Sequence, residues 1–192
     1  MSARTGQHLK ERRRGFVLWM TGLPGSGKST IAALTKKELE EGYGRYVELL
    51  DGDEVRKGLS SDLGLSREDR EEHARRVSYL AKVLARNGVV SIVALISPYR
   101  SSRERARGLI GEEDFVEVYV KATLATCERR DPKGLYAKAR RGEITNMTGV
   151  QDPYEAPTAP QIVIDTETST PEESAKELIE RLGSRLDEVE RR

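Results

Sequence analysis

Five apolar runs punctuate this chain, and charge-rich stretches with helical spacing separate them. Residues 16–21 (FVLWMT) are apolar without interruption, which suits a strand covered on both faces. Residues 45–50, 89–96, 115–120 and 161–165 are predicted as further strands, the one at 89–96 rich in β-branched residues. Residues 28–41 read as a helix closed by Gly42 and Gly44. Ser66 and Asp69 form a helix start signal for a long helix over 66–87, with an apolar stripe of Val77, Leu80, Ala81 and Leu84, and Gly88 ends it. Residues 171–189 complete the pattern as an amphipathic helix. Strands alternating with helices predict an α/β architecture: a five-stranded parallel sheet in three layers, with helices on both faces.

Two stretches fall outside this rhythm. Residues 1–14 are polar, end in Glu11-Arg-Arg-Arg14 and are expected to form a flexible basic arm, leaving 15–192 as a single domain. Residues 129–160 hold four prolines and no strand pattern, with a short basic helix expected at 135–141. So long a segment without a strand reads as a functional lid, placed at about 131–152.

The chemistry enters at Gly22-Leu-Pro-Gly25-Ser26-Gly27-Lys28-Ser29, which fits G-x-x-x-x-G-K-[ST] between a predicted strand and a predicted helix. The glycines let backbone N–H groups approach phosphate oxygens, and the helix N-terminus favours the anion. Lys28 is placed to reach the β- and γ-phosphates, and Ser29 offers a hydroxyl to Mg²⁺. The ATP-binding set is therefore Gly22, Gly25, Ser26, Gly27, Lys28, Ser29 and Thr30. A bare glycine-rich turn would need neither the lysine nor the flanking elements. No Asn-Lys-x-Asp guanine-reading motif occurs, so among P-loop proteins a compact kinase fits better than a GTPase.

Composition removes other classes. Lysine and arginine number 33 against 32 aspartate and glutamate, a formal net charge of +1, too balanced for a general nucleic-acid or membrane-surface binder. One cysteine, Cys127, excludes a disulfide framework, and two histidines make a histidine-built metal site unexpected. No apolar run spans a bilayer and no signal core follows the N-terminus, so a cytoplasmic location is expected. Cys127 and Trp19 read as core residues.

Asp51 and Asp53 lie at the carboxyl end of the second predicted strand, where open α/β sheets bind ligands. Asp53, and equally Asp51, can accept a hydroxyl proton or hold a metal through water; an Asp-Gly turn is the plain structural alternative. Four blocks then follow the cradle in order: DGDEVRKGL at 51–59, ISPYR at 96–100, DPKGLY at 131–136 and TGVQDPYE at 148–155. Together they resemble the adenylylsulfate kinase family over about residues 15–165. The resemblance implies a P-loop kinase fold, a homodimer, and transfer of phosphate from ATP, with Mg²⁺, to the 3′-hydroxyl of adenosine 5′-phosphosulfate, giving PAPS and ADP in sulfate assimilation.

The family's roles map residue by residue. Asp53 matches the catalytic aspartate and, with Ser29, the metal-holding pair. Arg56 and Arg70 match the arginines that hold the phosphosulfate, for which a guanidinium fork is suited; surface ion pairing is their bland alternative. Ile96 and Ser97 match the floor beneath the acceptor. Ser97 also occupies the position of a phosphoserine intermediate described in the family, although in-line transfer needs no covalent step. Lys133 and Leu135 lie in the lid block, Lys133 matching a lysine that contacts the phosphates. Met147 and Thr148 match the lid edge over the acceptor's adenine. Asp51, Leu65 and His73 complete the expected acceptor site.

Four positions depart from the family pattern: Glu54 and His73 stand where asparagine is usual, and Leu65 and Met147 where aromatics usually clamp the adenine. His73 can still donate a hydrogen bond, or can be a helix-surface residue beside Glu72. The changes bear on the acceptor more than on the reaction. A same-fold kinase acting on another nucleotide's 3′-hydroxyl, such as a cytidine diphosphate derivative, is one alternative, and a nucleotide-binding module without turnover is another.

Overall fold

The computed structural model describes residues 13–187. Five parallel strands form one sheet in the order β2-β3-β1-β4-β5: β1 (Val17–Thr21), β2 (Val47–Asp51), β3 (Val90–Ala94), β4 (Phe115–Lys121) and β5 (Ile162–Asp165). All five stand where the apolar runs place them, with ends shifted by up to two residues. Seven α-helices connect and close the sheet among the described residues: α1 (Lys28–Glu41), α2 (Gly52–Lys57), α3 (Arg67–Arg86), α4 (Arg100–Ile110), α5 (Leu124–Arg130), α6 (Leu135–Arg140) and α7 (Pro171–Leu182).

The central strand explains the layering. Every residue of β1 is buried, and its side chains alternate between faces. Leu18 and Met20 join α1 and α7 in one core; Val17 and Trp19 join α3 and α4 in the other. Trp19 lies fully buried with its ring 5.7 Å from that of Phe115, as expected for a core residue. A third apolar cluster, of Ala122, Cys127, Tyr136, Ala139 and Met147, lies apart and packs the lid. Burial pushes the Cys127 thiol up, so it stays protonated and inert.

Sequence patterns missed α2 and α4 for physical reasons. The Asp51-Gly-Asp53 turn opens α2: Asp51 Oδ1 accepts from Asp53 N at 3.0 Å and caps the helix. The inner face of α4 carries Ser102 and Arg103 beside Ala106 and Ile110, so its pattern looks polar. The last helix is shorter than expected. It stops at Leu182, because Gly183 takes φ 51, and a 3₁₀ turn over Gly183–Leu186 follows; position 189 lies outside the described residues. Its Thr170 and Glu173 form a reciprocal capping box.

Residues 1–12 of the expected arm lie outside the described residues. The last two of that arm are not free. Arg13 donates to the carbonyl of Tyr43, and Arg14 pairs with Glu113 and with Asp114, at 2.8 and 2.6 Å. Among the described residues no helix is long and apolar enough to cross a membrane.

Candidate active site

The carboxyl ends of β1, β2, β3 and β5 open into one cavity of about 750 Å³. The cradle forms one wall. Gly22 is pressed against β4, where a Cβ would lie 2.4 Å from the Val120 carbonyl, and Gly27 takes φ 104, so only glycine fits either position. Residues 25 and 27–30 face the cavity, whereas Gly22 and Ser26 shape the loop from behind. Lys28 Nζ folds back onto the carbonyls of Gly22 and Leu23, each at 2.8 Å. Its burial pushes its pKa down to about 8.

Beside the cradle, Ser29 Oγ donates to Asp51 Oδ2 at 2.6 Å. A hydroxyl and two nearby carboxylates are hard oxygen donors, and among the described residues no cluster of three or more His, Cys, Asp or Glu could form a cage. That donor set fits Mg²⁺ held chiefly by water and phosphate oxygens. Asp53, on the first turn of α2, is ion-paired with Lys133 of the lid.

The acceptor end holds Arg56, Leu65, Arg70 and His73. Arg56 Nη1 donates to the Gly64 carbonyl at 2.9 Å. Arg70 donates to the carbonyls of Leu65, at 3.0 Å, and of Asn146 in the lid, at 2.7 Å. Both guanidinium groups thus meet backbone carbonyls rather than carboxylates, so the surface ion-pair alternative does not hold. Desolvation weakens the proton affinity of each, and Arg70 adds to that at Arg56. Two such cations gain from an anion that replaces the lost water.

His73 is not a helix-surface residue: it is 5% exposed, and neither ring nitrogen has a hydrogen-bond partner. Burial first, then Arg56, Arg76 and Arg70, push its pKa down to about 4, so the ring is neutral. Leu65 is 46% exposed at the cavity rim, whereas Met147 is buried in the lid cluster as well as facing the cavity.

Ile96 and Ser97 form the floor. Thr21 Oγ1 donates to the Ile96 carbonyl at 2.8 Å, and Trp19 Nε1 donates to Ser97 Oγ at 3.1 Å. Ser97 takes φ 37, left-handed backbone that costs a non-glycine residue about 1–3 kcal/mol. Lys133, Leu135 and Met147 close the roof, but Thr148 does not line the cavity; it is fully buried at a bridge to Asp152. Tyr136 ties the roof to the cradle through its hydroxyl, which donates to the Pro24 carbonyl at 2.9 Å.

The far end of the cavity carries residues the sequence pattern did not single out. Arg130 donates to Thr166 Oγ1 at 2.9 Å, and Thr166 Oγ1 donates to the Ser26 carbonyl at 3.0 Å. Ser169 and Pro171 continue that wall. Thr166 directly follows β5, and the carboxyl end of a strand is the signal that could have found it.

Sequence comparison agrees with this geometry. Residues 14–165 match the family described as Adenylylsulphate kinase. The adenylyl-sulfate kinase of Halothermothrix orenii is 51% identical over 170 residues, covering 88% of this chain and 90% of that protein. The Clostridium acetobutylicum enzyme of the same name is 52% identical over 172 residues, covering 89% and 84%. Among solved structures, a Mycobacterium tuberculosis APS kinase in complex with AMPPNP and APS superposes with a TM-score of 0.85 at 45% identity, covering 88% of this chain and 98% of that one. Cradle, paired aspartates, half-buried arginines and lid thus occur on a chain about half identical to named relatives over most of its length, and the chain belongs to the adenylylsulphate kinase family.

Proposed function

We infer that this protein transfers the γ-phosphoryl group of ATP to the 3′-hydroxyl of adenosine 5′-phosphosulfate, giving PAPS and ADP. The observation that carries this reading is one continuous cavity with a phosphate cradle at one end and, at the other, two arginines whose hydrogen bonds go to backbone carbonyls. The relatives' shared name and the AMPPNP and APS of the mycobacterial complex support it.

The roles follow from position. Residues 25 and 27–30 hold the ATP phosphates, with Lys28 reaching the β- and γ-oxygens. Arg130, Thr166 and Ser169 lie where the donor's base end would rest. Arg56 and Arg70 hold the phosphosulfate, His73 offers a ring nitrogen beside them, and Ile96 and Ser97 support the nucleoside. Asp53 orients the 3′-hydroxyl and takes its proton as the oxygen bonds to the γ-phosphorus and the bond to the β–γ bridging oxygen breaks. Lys28 and Lys133 stabilise the charge on the transferring group. Mg²⁺, when bound, neutralises charge across the β- and γ-phosphates, and Ser29 with Asp51 or Asp53, through water, would hold it. The lid excludes water and so limits ATP hydrolysis. Ser97 Oγ already accepts a hydrogen bond from buried Trp19, which favours a supporting over a covalent role. A homodimer, carried by the family resemblance, is checked by light scattering.

The test is ADP release from ATP·Mg²⁺, with adenosine 5′-phosphosulfate and cytidine diphosphate derivatives as separate acceptors. Release with the phosphosulfate alone is expected. Release only with a cytidine acceptor would keep the reaction and reassign the acceptor, a result the aliphatic pair Leu65 and Met147 makes worth seeking.

A further inference from the structure

Two sequence blocks, ISPYR at 96–100 and QDPYE at 151–155, have only part of their length explained by substrate contact. In the folded chain they are joined. Glu155 N donates to the Pro98 carbonyl at 2.9 Å, and Arg100 N donates to Glu155 Oε2 at 2.9 Å. The Tyr154 hydroxyl meets Thr21 Oγ1 at 3.0 Å, and that same Thr21 holds the Ile96 carbonyl. The segment that leaves the lid is therefore stitched to the floor of the acceptor site.

One side chain organises this seam. Arg103, on the inner face of α4, is 3% exposed. Its Nε donates to Glu117 Oε1 at 2.7 Å, its Nη1 to the Ser97 carbonyl at 2.7 Å, and its Nη2 to the Glu155 carbonyl at 2.7 Å. Glu117 projects from β4 and is held on its other oxygen by Arg107 at 3.2 Å. A guanidinium spreads its donors in a fixed plane, so three acceptors satisfied at once are fixed relative to one another. One is a strand of the sheet, one is the strained floor residue at φ 37, and one is the base of the lid.

We propose that Arg103 is a positioning residue for phosphoryl transfer: anchored on Glu117, it locks the Ser97 floor and the Glu155 base of the lid into one rigid unit. It touches no substrate. It acts by holding Ser97 in left-handed backbone and by giving the lid a fixed base to close from. The proposal rests on the acceptor site assigned above. Arg103 itself bonds neither the cradle nor α1, and β1 meets the seam only through the Trp19 and Thr21 side chains, so donor binding should not depend on Arg103.

The test uses the full chain and three variants. Arg103→Lys keeps the charge but loses the fork. The expected result is an acceptor KM raised about tenfold or more, an unchanged KM for ATP, and more than one ADP released per acceptor phosphorylated. Arg103→Met with Glu117→Gln removes both charges, leaves no lone carboxylate against the seam, and should show the same acceptor defect. Arg107→Lys loosens Glu117 without touching Ser97 or Glu155 and should leave acceptor KM unchanged. A folded Arg103→Lys protein with ordinary acceptor KM and coupling would overturn the proposal. So would an equal defect in Arg107→Lys, since that marks general loosening. Hydrogen exchange separates this failure from failure of the assigned reaction. Even if adenosine 5′-phosphosulfate is no substrate, Arg103→Lys should speed exchange at the amides of Arg100 and Glu155 and not in β1. Unchanged exchange there overturns the positioning role by itself.

Discussion

Lys133 of the lid is ion-paired with Asp53 on α2, joining residues eighty positions apart across the mouth of the cavity. The contact raises the proton affinity of Lys133, chiefly through its hydrogen bond to the carboxylate. Both partners are half exposed or more, so the pair adds little to stability and can exchange for substrate contacts. The lid's lysine thus waits on the carboxylate assigned to the acceptor hydroxyl. Asp53→Asn keeps the size of the side chain but removes the base. Turnover should fall roughly 10²- to 10⁴-fold while ATP affinity stays near that of the unaltered protein. Steady-state ADP release and titration calorimetry check the two halves, and wild-type turnover would remove Asp53 from the chemistry.

Lys28 gives a pH dependence on the donor side. Its free-state pKa, lowered to about 8 by burial, lies below the ordinary lysine value. Phosphate oxygens replacing the Gly22 and Leu23 carbonyls favour the charged form, so nucleotide binding raises that pKa. Below about pH 8 the free protein already carries the charge. Above it, binding must take up a proton, and ATP affinity should weaken as pH rises through 8. Calorimetry at pH 7 and pH 9, in buffers of different ionisation enthalpy, should detect proton uptake only at the higher pH. Lys28→Met should abolish that uptake along with most of the affinity.

The parts of this site that were legible in the sequence share one property: their chemistry is local. The cradle needs a strand, a glycine loop and a helix in immediate succession, and β1 and α1 stand where their residues predict. Asp51 and Asp53 follow a strand end. Arg103 was illegible because its three partners lie 14, 6 and 52 positions away, and its helix presents a polar residue inward. His73 was ambiguous for a similar reason. Helical spacing places it on the face of Arg70 and Ala74, but only the tertiary fold, which turns that face toward the cavity that Arg56 also lines, decides that it is covered. Thr148, matched to the lid edge by resemblance alone, is buried behind Met147 rather than lining the cavity, because consecutive side chains face different ways.

Leu65 is an exposed aliphatic at the rim of a site assigned to an adenine nucleotide. Its backbone carbonyl accepts from Arg70 whatever the side chain, so Leu65→Phe leaves the arginine in place. A ring there adds a stacking surface, about 1–3 kcal/mol per base where the base lies flat on it. Acceptor KM should drop several-fold with no change in melting temperature. An unchanged KM would mean that Leu65 does not meet the base.

His73 makes the acid stability of the fold testable apart from catalysis. Its pKa is about 4 in the folded protein, against about 6.5 for an unburied histidine. The unfolded chain therefore binds the extra proton first as pH falls. Protonation linkage costs the fold nothing above about pH 6.5; the fold loses stability between 6.5 and 4, and the loss levels off below that. For a group this buried the full effect is on the order of 2–3 kcal/mol. Denaturant midpoints at pH 7 and pH 5 should separate clearly in the native protein. In His73→Asn, whose side chain does not titrate, the separation should shrink. Bound phosphosulfate should shrink it as well, because an anion facing Arg56 and Arg70 offsets the field that opposes protonation. An equal pH 5 loss in both proteins would place the acid-labile group elsewhere in the fold.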